Sequence, residues 1–411
     1  MSNIIDYIMW RGDITFSEKK INEIDKLIFM RLSYLPFNEL NLSKEDSISI
    51  SDLMKRLSNI PADKFIWNED INLINKLGIS NRFKDLIISD YVEKYDKSLE
   101  KQFAAIVISG ENINEHIISY RGTDMSLVGW KEDFNMSFTY HVPSQIEGVN
   151  YLNYIGNKYG DKVFLLLGHS KGGNIAMYSS IFCNDLIKLR IKEIITADSP
   201  GLTEEIVNDI RFLDIKDKII SYIPQTSIVG RLLENTNNYR VVQSSGNMFV
   251  QHDIYTWDVG PTFLIQIKDA SKESDFANNV IKDYLKKTSP QDREKFITIV
   301  YEVLESLEVE NITDIPKVLL KNTKIVLKGY KDITPEDKLQ LEDMMKQLKD
   351  IIIENIKLEL VSQNIIKDNK KIDKTKNKKR LKANKEKNGK KIKKEEKSLV
   401  NKEKKWMFGK K

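Results

Sequence analysis

The sequence holds a single cysteine, Cys183, and only four histidines. One thiol cannot close an intramolecular disulfide, and such scarcity fits a reducing compartment. The four histidines, His116, His141, His169 and His252, show no ligand spacing, which argues against a metal centre. No glycine-rich, phosphate-cradling loop follows a strand candidate, so a nucleotide reading is poor and no cofactor is expected. No apolar run approaches the ~18 residues of a membrane span. The stretch "MSNIIDYIMWRGDITF" carries acids where a secretory signal needs a basic start and an unbroken apolar core. The expected location is cytoplasmic.

What is present is a chain of 411 residues, 41% hydrophobic, enough for a large core with appendages. Its charge is unevenly spread. From Lys367 to Lys411 there are 21 Lys or Arg against 6 Asp or Glu, a net of +15. The whole chain carries +5, so the first 366 residues carry −10. An acidic body bears a basic tail.

Residues 1 to about 95 read as mostly helical, with Ile21, Ile24, Leu27, Ile28 and Leu32 at helical spacing. Strands are expected at Phe103 to Ser109 and His116 to Tyr120, then at Val163 to Leu167, 191–197, 218–223 and 238–244. A helix, "QIEGVNYLNYIGNKYG", leads into the third of these. Strands alternating with helices imply an α/β fold with a mostly parallel, wound sheet over residues 1–268. Residues 269–366 read as amphipathic helices with Pro290 and Pro335 near helix starts, and 367–411 as a Lys-rich disordered tail.

The run "VFLLLGHSKGGNIAMYSS" poses the functional question. A short apolar strand, Gly168-His169-Ser170-Lys171-Gly172 and a helix together form the setting of a nucleophile elbow, whose strained turn projects the serine from the sheet's carboxyl edge. A structural turn is the competing reading of Ser170. The serine needs a general base. His169 adjoins it and should point away into a structural hydrogen bond. His116 is expected at the surface, and His141, in "FTYHVPSQ", either lines a cleft or meets solvent. His252 follows the last strand candidate, where an α/β-hydrolase delivers its base. Cys183 sits on the helix after the elbow and reads as a buried, inert thiol.

The acid that orients the imidazole is read as Asp198, directly after 191–197 in "TADSPGL", with Asp214 and Asp217 as rivals in a polar connector. Two donors must face the developing oxyanion. One is the Lys171 backbone N–H. The other is Thr123, in a turn after a strand, through its N–H, its hydroxyl or both.

These stretches carry a resemblance. "YRGTDMSLVGWKEDF" followed by "GHSKGGN" is similar to the class 3 lipase pattern. More closely, the chain resembles the Mbeg1-like family of predicted α/β-hydrolases, through "YIMWRGDITF", "NEIDKLIFMRLSYL", "ADSPG", "PQTSIVGRLL" and "QHDIYTW" as well, between about residues 5 and 258. The resemblance implies a serine-hydrolase fold of unassigned substrate. One departure stands out: class 3 lipases place their acid in an Asp-Ile-Val-Pro-like segment, and the matching stretch here has Ser227. Another is Lys171, where lipases carry an apolar residue. Its side chain is expected to reach solvent, the other reading being a mouth biased toward anionic substrates.

The expected function is hydrolysis of a carboxylic ester of a small molecule or lipid by Ser170, Asp198 and His252. The reading from a different class is a catalytically silent hydrolase fold serving as an interaction module. The tail has two readings as well, a solvated appendage or a surface for anionic membranes. Trp406, Met407 and Phe408 between cations favour a membrane interface, and nucleic acid has less need of such an apolar tip. At ~1 kcal/mol per Lys or Arg near an anionic surface, the expected outcome is weak, salt-sensitive vesicle binding. Deleting 367–411 should abolish sedimentation with anionic vesicles at low salt and preserve turnover of a small soluble ester. Equal sedimentation of both proteins would refute the membrane reading.

Overall fold

A computed structural model of the chain describes residues 2–124, 126–234, 239–305 and 333–358. The chain divides into two compact units, Met1–Leu348 and Lys349–Lys411. In the second, residues 349–358 are helical. The tail, with Trp406, Met407 and Phe408, lies outside the described residues.

The first unit is built on nine strands whose spatial order follows the chain. They are β1 Ser47–Ser49, β2 Ile87–Asp96, β3 Lys101–Ser109, β4 Glu115–Tyr120, β5 Val163–His169, β6 Ile191–Ala197, β7 Ile219–Pro224, β8 Tyr239–Val242 and β9 Gln266–Ile267. β4 to β8 pair in parallel, while β1 to β4 and β8 to β9 pair antiparallel. The fold is thus α/β, with a mixed sheet that is parallel through its centre.

Helices flank it: α1 Ile4–Arg11, α2 Glu23–Leu32, α3 Ile50–Leu57 and α4 Glu69–Ile79 before the long strands, then α5 Leu127–Asn135, α6 Pro143–Lys158, α7 Lys171–Phe182, α8 Asp185–Lys188, α9 Glu204–Val207, α10 Lys272–Lys287 and α11 Pro290–Glu305. Residues 335–348 are helical too.

Side chains of a strand alternate between faces, and the two cores follow that alternation. On β5, Leu165 and Leu167 join Ile24, Leu27 and Ile28 of α2, while Phe164 and Leu166 join Leu152 of α6 and Ile175 of α7. Both faces are buried, which is why the strand reads as an unbroken apolar run. Successive parallel strands in chain order put the β4–β5 and β5–β6 crossover helices on one face, since such crossovers share one hand. The N-terminal helices cover the other.

The helical reading of residues 1–95 holds for α1 to α4 and fails at β1 and β2. In β2, "IISDYVEKYD" loses its alternation at a bulge between Ser89 and Val92, where Asp90 takes φ 55°. The Asp90 carboxylate is bound by Lys158 Nζ at 2.7 Å and Tyr159 Oη at 2.8 Å. A polar residue is therefore buried where the pattern leads one to expect solvent. Beyond residue 268 the described residues form helices at 272–287, 290–305 and 335–358, while 306–332 and 359–366 of the expected helical region lie outside the described residues. Ser271 N donates to the Gln225 carbonyl (2.7 Å) and Arg293 Nε to that of Ser137 (3.0 Å). No helix among the described residues is long and apolar enough to cross a membrane.

Candidate active site

The parallel strands β4, β5 and β6 end at one edge of the sheet and are followed there by Thr123, Ser170 and Asp198, while His252 comes from the loop after β8. After β5 comes Ser170, at φ 57° and ψ −135°, with α7 starting at Lys171. A non-glycine residue at such angles is strained by about 1–3 kcal/mol, strain that collects at functional sites. The Ser170 side chain makes no capping bond to its own helix, so its hydroxyl is open to outside groups. The turn is tight because α7 lies against β4: a Cβ at Gly172 would overlap the Tyr120 carbonyl.

His169 points away from the nucleophile's side, into a buried chain of hydrogen bonds. Its Nε2 lies 2.8 Å from the His252 carbonyl, which can only accept, so Nε2 carries the proton. Nδ1 then accepts from Tyr34 Oη at 2.8 Å, and the same oxygen accepts from the Gly122 N–H at 3.1 Å. Burial first, then the neighbouring His252 ring and Arg31, lowers the His169 pKa well below the usual imidazole range and keeps that ring neutral. Its ring packs against that of His252 with centroids 4.5 Å apart and the planes tilted by 36°. This chain of bonds joins the segment after α2, the turn after β4, the residue before Ser170 and the His252 loop.

His252 ends a short 3₁₀ turn, Met248–His252. Around it, Gln251 accepts from Thr226 N (2.8 Å) and donates to the Gly246 carbonyl (2.7 Å), and Trp257 Nε1 donates to the Gln251 carbonyl (2.8 Å). Tyr255 Oη donates to Asp70 at 2.7 Å, and Asp70 is itself paired with the buried Arg31. His252 Nδ1 lies 2.7 Å from Asp198 Oδ2.

Asp198 directly follows β6, at φ 41°, and is buried. Its Oδ1 accepts from Ser227 Oγ and from Gly230 N, the latter at 3.0 Å. Ser227, standing where the lipase pattern has its acid, is therefore a donor to an acid one strand earlier. Asp214 and Asp217 lie in the connector before β7, at the opposite edge, and Asp214 pairs with Lys188 at 3.5 Å.

The turn after β4 brings Gly122 against Ser170, so close that a Cβ there would meet Ser170 and the Tyr34 hydroxyl. Thr123 Oγ1 donates to Asp133 Oδ2 at 2.5 Å. That commits the hydroxyl's hydrogen to Asp133 and leaves only the backbone N–H of Thr123 as a candidate donor. The Lys171 N–H, in the first turn of α7, belongs to the amides a helix leaves without an internal acceptor.

The Lys171 side chain corrects the sequence expectation. It does not reach solvent: it is fully buried, with Nζ 2.8 Å from Glu132 Oε2, 3.1 Å from Gln102 Oε1 and 3.7 Å from Asp133 Oδ1. Burial opposes its charge, but Glu132 and Asp133 outweigh burial and raise its pKa. Removing one partner of such a buried pair costs about 3–5 kcal/mol. The acids that hold it stand in plain sight in "GWKEDF".

Of the other histidines, His141 is exposed, and His116 is half-buried against Tyr159 rather than at the surface, its pKa lowered by burial. Burial pushes the Cys183 thiol up to about 11, an inert state. Among the described residues, no group of His, Cys, Asp and Glu could hold a metal ion.

The family profile described as Mbeg1-like matches residues 77–302, more than half of the chain. The chain belongs to the Mbeg1-like family. Comparison with curated proteins gives no match. Among solved structures, this Mbeg1-like chain is similar to the Rhizomucor miehei lipase propeptide complex, with 13% identity, TM-score 0.32 and coverage of 54% of this chain and 68% of that one. It is also similar to the lipase from Rhizopus microsporus var. chinensis (14%, TM-score 0.30, 55% and 76%) and to the Lip2 lipase from Yarrowia lipolytica (11%, TM-score 0.28, 55% and 80%). At these values the likeness bears neither on activity nor on substrate.

Tyr34 is the residue the sequence reading missed, and it has a direct test. Tyr34→Phe leaves the buried Gly122 N–H and His169 Nδ1 without their partner, so unfolding stability should fall by about 1–3 kcal/mol. Urea denaturation measures it. An unchanged midpoint would show that the bridge holds nothing together.

Proposed function

We propose that this Mbeg1-like protein is a serine hydrolase cleaving carboxylic esters, with Ser170 as nucleophile, His252 as base and Asp198 as orienting acid. The observation that carries the reading is the 2.7 Å bond between His252 Nδ1 and Asp198. With Nδ1 engaged, Nε2 is the nitrogen left to take a proton. Its ring packs, tilted, against that of His169, the residue before the strained serine.

In the reaction, Ser170 Oγ attacks the ester carbonyl as His252 Nε2 takes its proton. Charge forming on the carbonyl oxygen meets the N–H groups of Lys171 and Thr123, fixed donors of the kind worth about 10²–10³ in rate each. The tetrahedral species collapses, and the imidazolium returns the proton to the departing alcohol. Water, deprotonated by the same imidazole, then releases the acid and regenerates the serine.

A cavity of about 430 Å³ opens among the loops that follow α5, β6 and β7 and the helices α10 and α11. Phe138, Leu202, Leu233 and Leu285 give it apolar walls, and Lys282 and Lys286 line it as well. Its size falls in the range of small-molecule sites, but Ser170, Asp198 and His252 are not among its lining residues.

A panel of p-nitrophenyl esters of graded chain length tests the proposal. Ser170→Ala should abolish turnover with the fold intact, and His252→Ala should cost about as much, since a triad acts as a unit. Asp198→Asn should lose on the order of 10⁴ in turnover through the wrong tautomer. Full activity in Asp198→Asn would remove that residue from the mechanism. No turnover of any ester, with no labelling of Ser170 by a fluorophosphonate, would leave the silent interaction module.

A further inference from the structure

The ammonium of Lys171 sits where a helix least favours it. It belongs to the first residue of α7, beside the positive end of the helix dipole, and it is fully buried. An apolar pair of equal volume would join α5 to α7 without burying charge, often at no loss of stability. What the ion pair adds is direction. Nζ donates to Glu132 of α5 and Gln102 of β3, and Asp133 Oδ1 of α5 lies 3.7 Å away, within ion-pair distance. Glu132 also accepts from Gln102 N at 3.0 Å and Ser144 N at 2.8 Å, so β3 and the start of α6 are tied in as well. Asp133 holds the Thr123 hydroxyl.

We propose that the Lys171 side chain is a positioning residue that locks the two oxyanion donors together, its own backbone N–H and that of Thr123, through the acid pair Glu132–Asp133. This rests on the ester-hydrolase reading above. The path is continuous: Lys171 N–H and Nζ share one residue, Nζ meets Asp133, and Asp133 fixes Thr123. The turn and the helix end then cannot drift apart as charge builds between them.

Asp133 reports on the clamp. Burial lifts its carboxyl to about 6, while Lys171 and the Thr123 hydrogen bond pull it down, Glu132 raises it and His252 lowers it. Tyr34 and Tyr301 of α11 also stand within its field. The carboxylate form accepts the Thr123 hydrogen bond, so activity should fall as pH drops through the Asp133 pKa. Removing the Lys171 cation raises that pKa, and the acid limb of kcat must then move to higher pH.

The test pairs Lys171→Met with Lys171→Met/Glu132→Gln, the second removing the carboxylate that the first leaves buried without its cation. The expected result for both is a kcat lower by about 10²-fold with KM changed less than about threefold. The acid limb should rise by about one pH unit in Lys171→Met, and by less in the double variant, which also removes the Glu132 charge that raises Asp133. A ¹³C titration of the Asp133 carboxyl, compared between wild type and Lys171→Met, reads the clamp without any substrate. A double variant that folds with wild-type kcat overturns the proposal, as does an unmoved Asp133 titration in Lys171→Met. Wild-type protein inactive on every ester, with the titration moved, instead refutes the hydrolase reading and keeps the clamp.

Discussion

The candidate site depends on a neutral imidazole one residue before the proposed nucleophile, Ser170. His169 donates to the His252 carbonyl and accepts from Tyr34, whose oxygen takes the Gly122 N–H. A protonated ring would present two donors, and the Tyr34 link would have to reverse or break. Burial suppresses that charge, so one proton placement serves the whole chain of bonds. The oxyanion turn, the elbow and the backbone of the proposed base are thereby set relative to one another by partners that cannot exchange roles.

Around this centre the fold tolerates strain. Ser170 and Asp198 both sit at positive φ, at the ends of neighbouring parallel strands. Each is bracketed by backbone bonds, Ser170 N to the Ala197 carbonyl at 2.9 Å and Asp198 N to that of Tyr222 at 2.8 Å. The sheet ladder thus runs one residue past the strands and pins both. The N-terminal helices support the same region from the other side, through the buried Arg31–Asp70 pair and its Tyr255 contact. The segment before the long strands is therefore part of the site's framework.

Much of this was legible in the sequence because the central strands are buried on both faces and read as apolar runs bounded by turns. Ser170 and Asp198 directly follow such runs, β5 and β6, whereas His252 stands ten residues beyond β8 and reaches Asp198 through its loop. β2 was not legible, since its bulge buries Asp90 and breaks the alternation. Tyr34 was hidden for a different reason. It lies 135 residues from His169, and nothing local distinguishes it from another core aromatic. Lys171 was misread because a lysine is ordinarily solvated. The neighbouring Glu132 and Asp133 were the signal, but only the packing of α5 on β3 makes them its partners. Ser227 read as a lost acid, and its use as a donor to Asp198 needs the loop after β7 to fold back over β6.

The most direct test of the account is the structure of the protein after reaction with diethyl p-nitrophenyl phosphate, whose adduct imitates the tetrahedral intermediate. The account predicts phosphorus bonded to Ser170 Oγ, the phosphoryl oxygen about 2.7–3.1 Å from the N–H groups of Lys171 and Thr123, and His252 Nε2 turned toward the adduct with Nδ1 still on Asp198. An adduct whose oxygen lies away from both amides, or a serine that stays unmodified at saturating reagent, would contradict it.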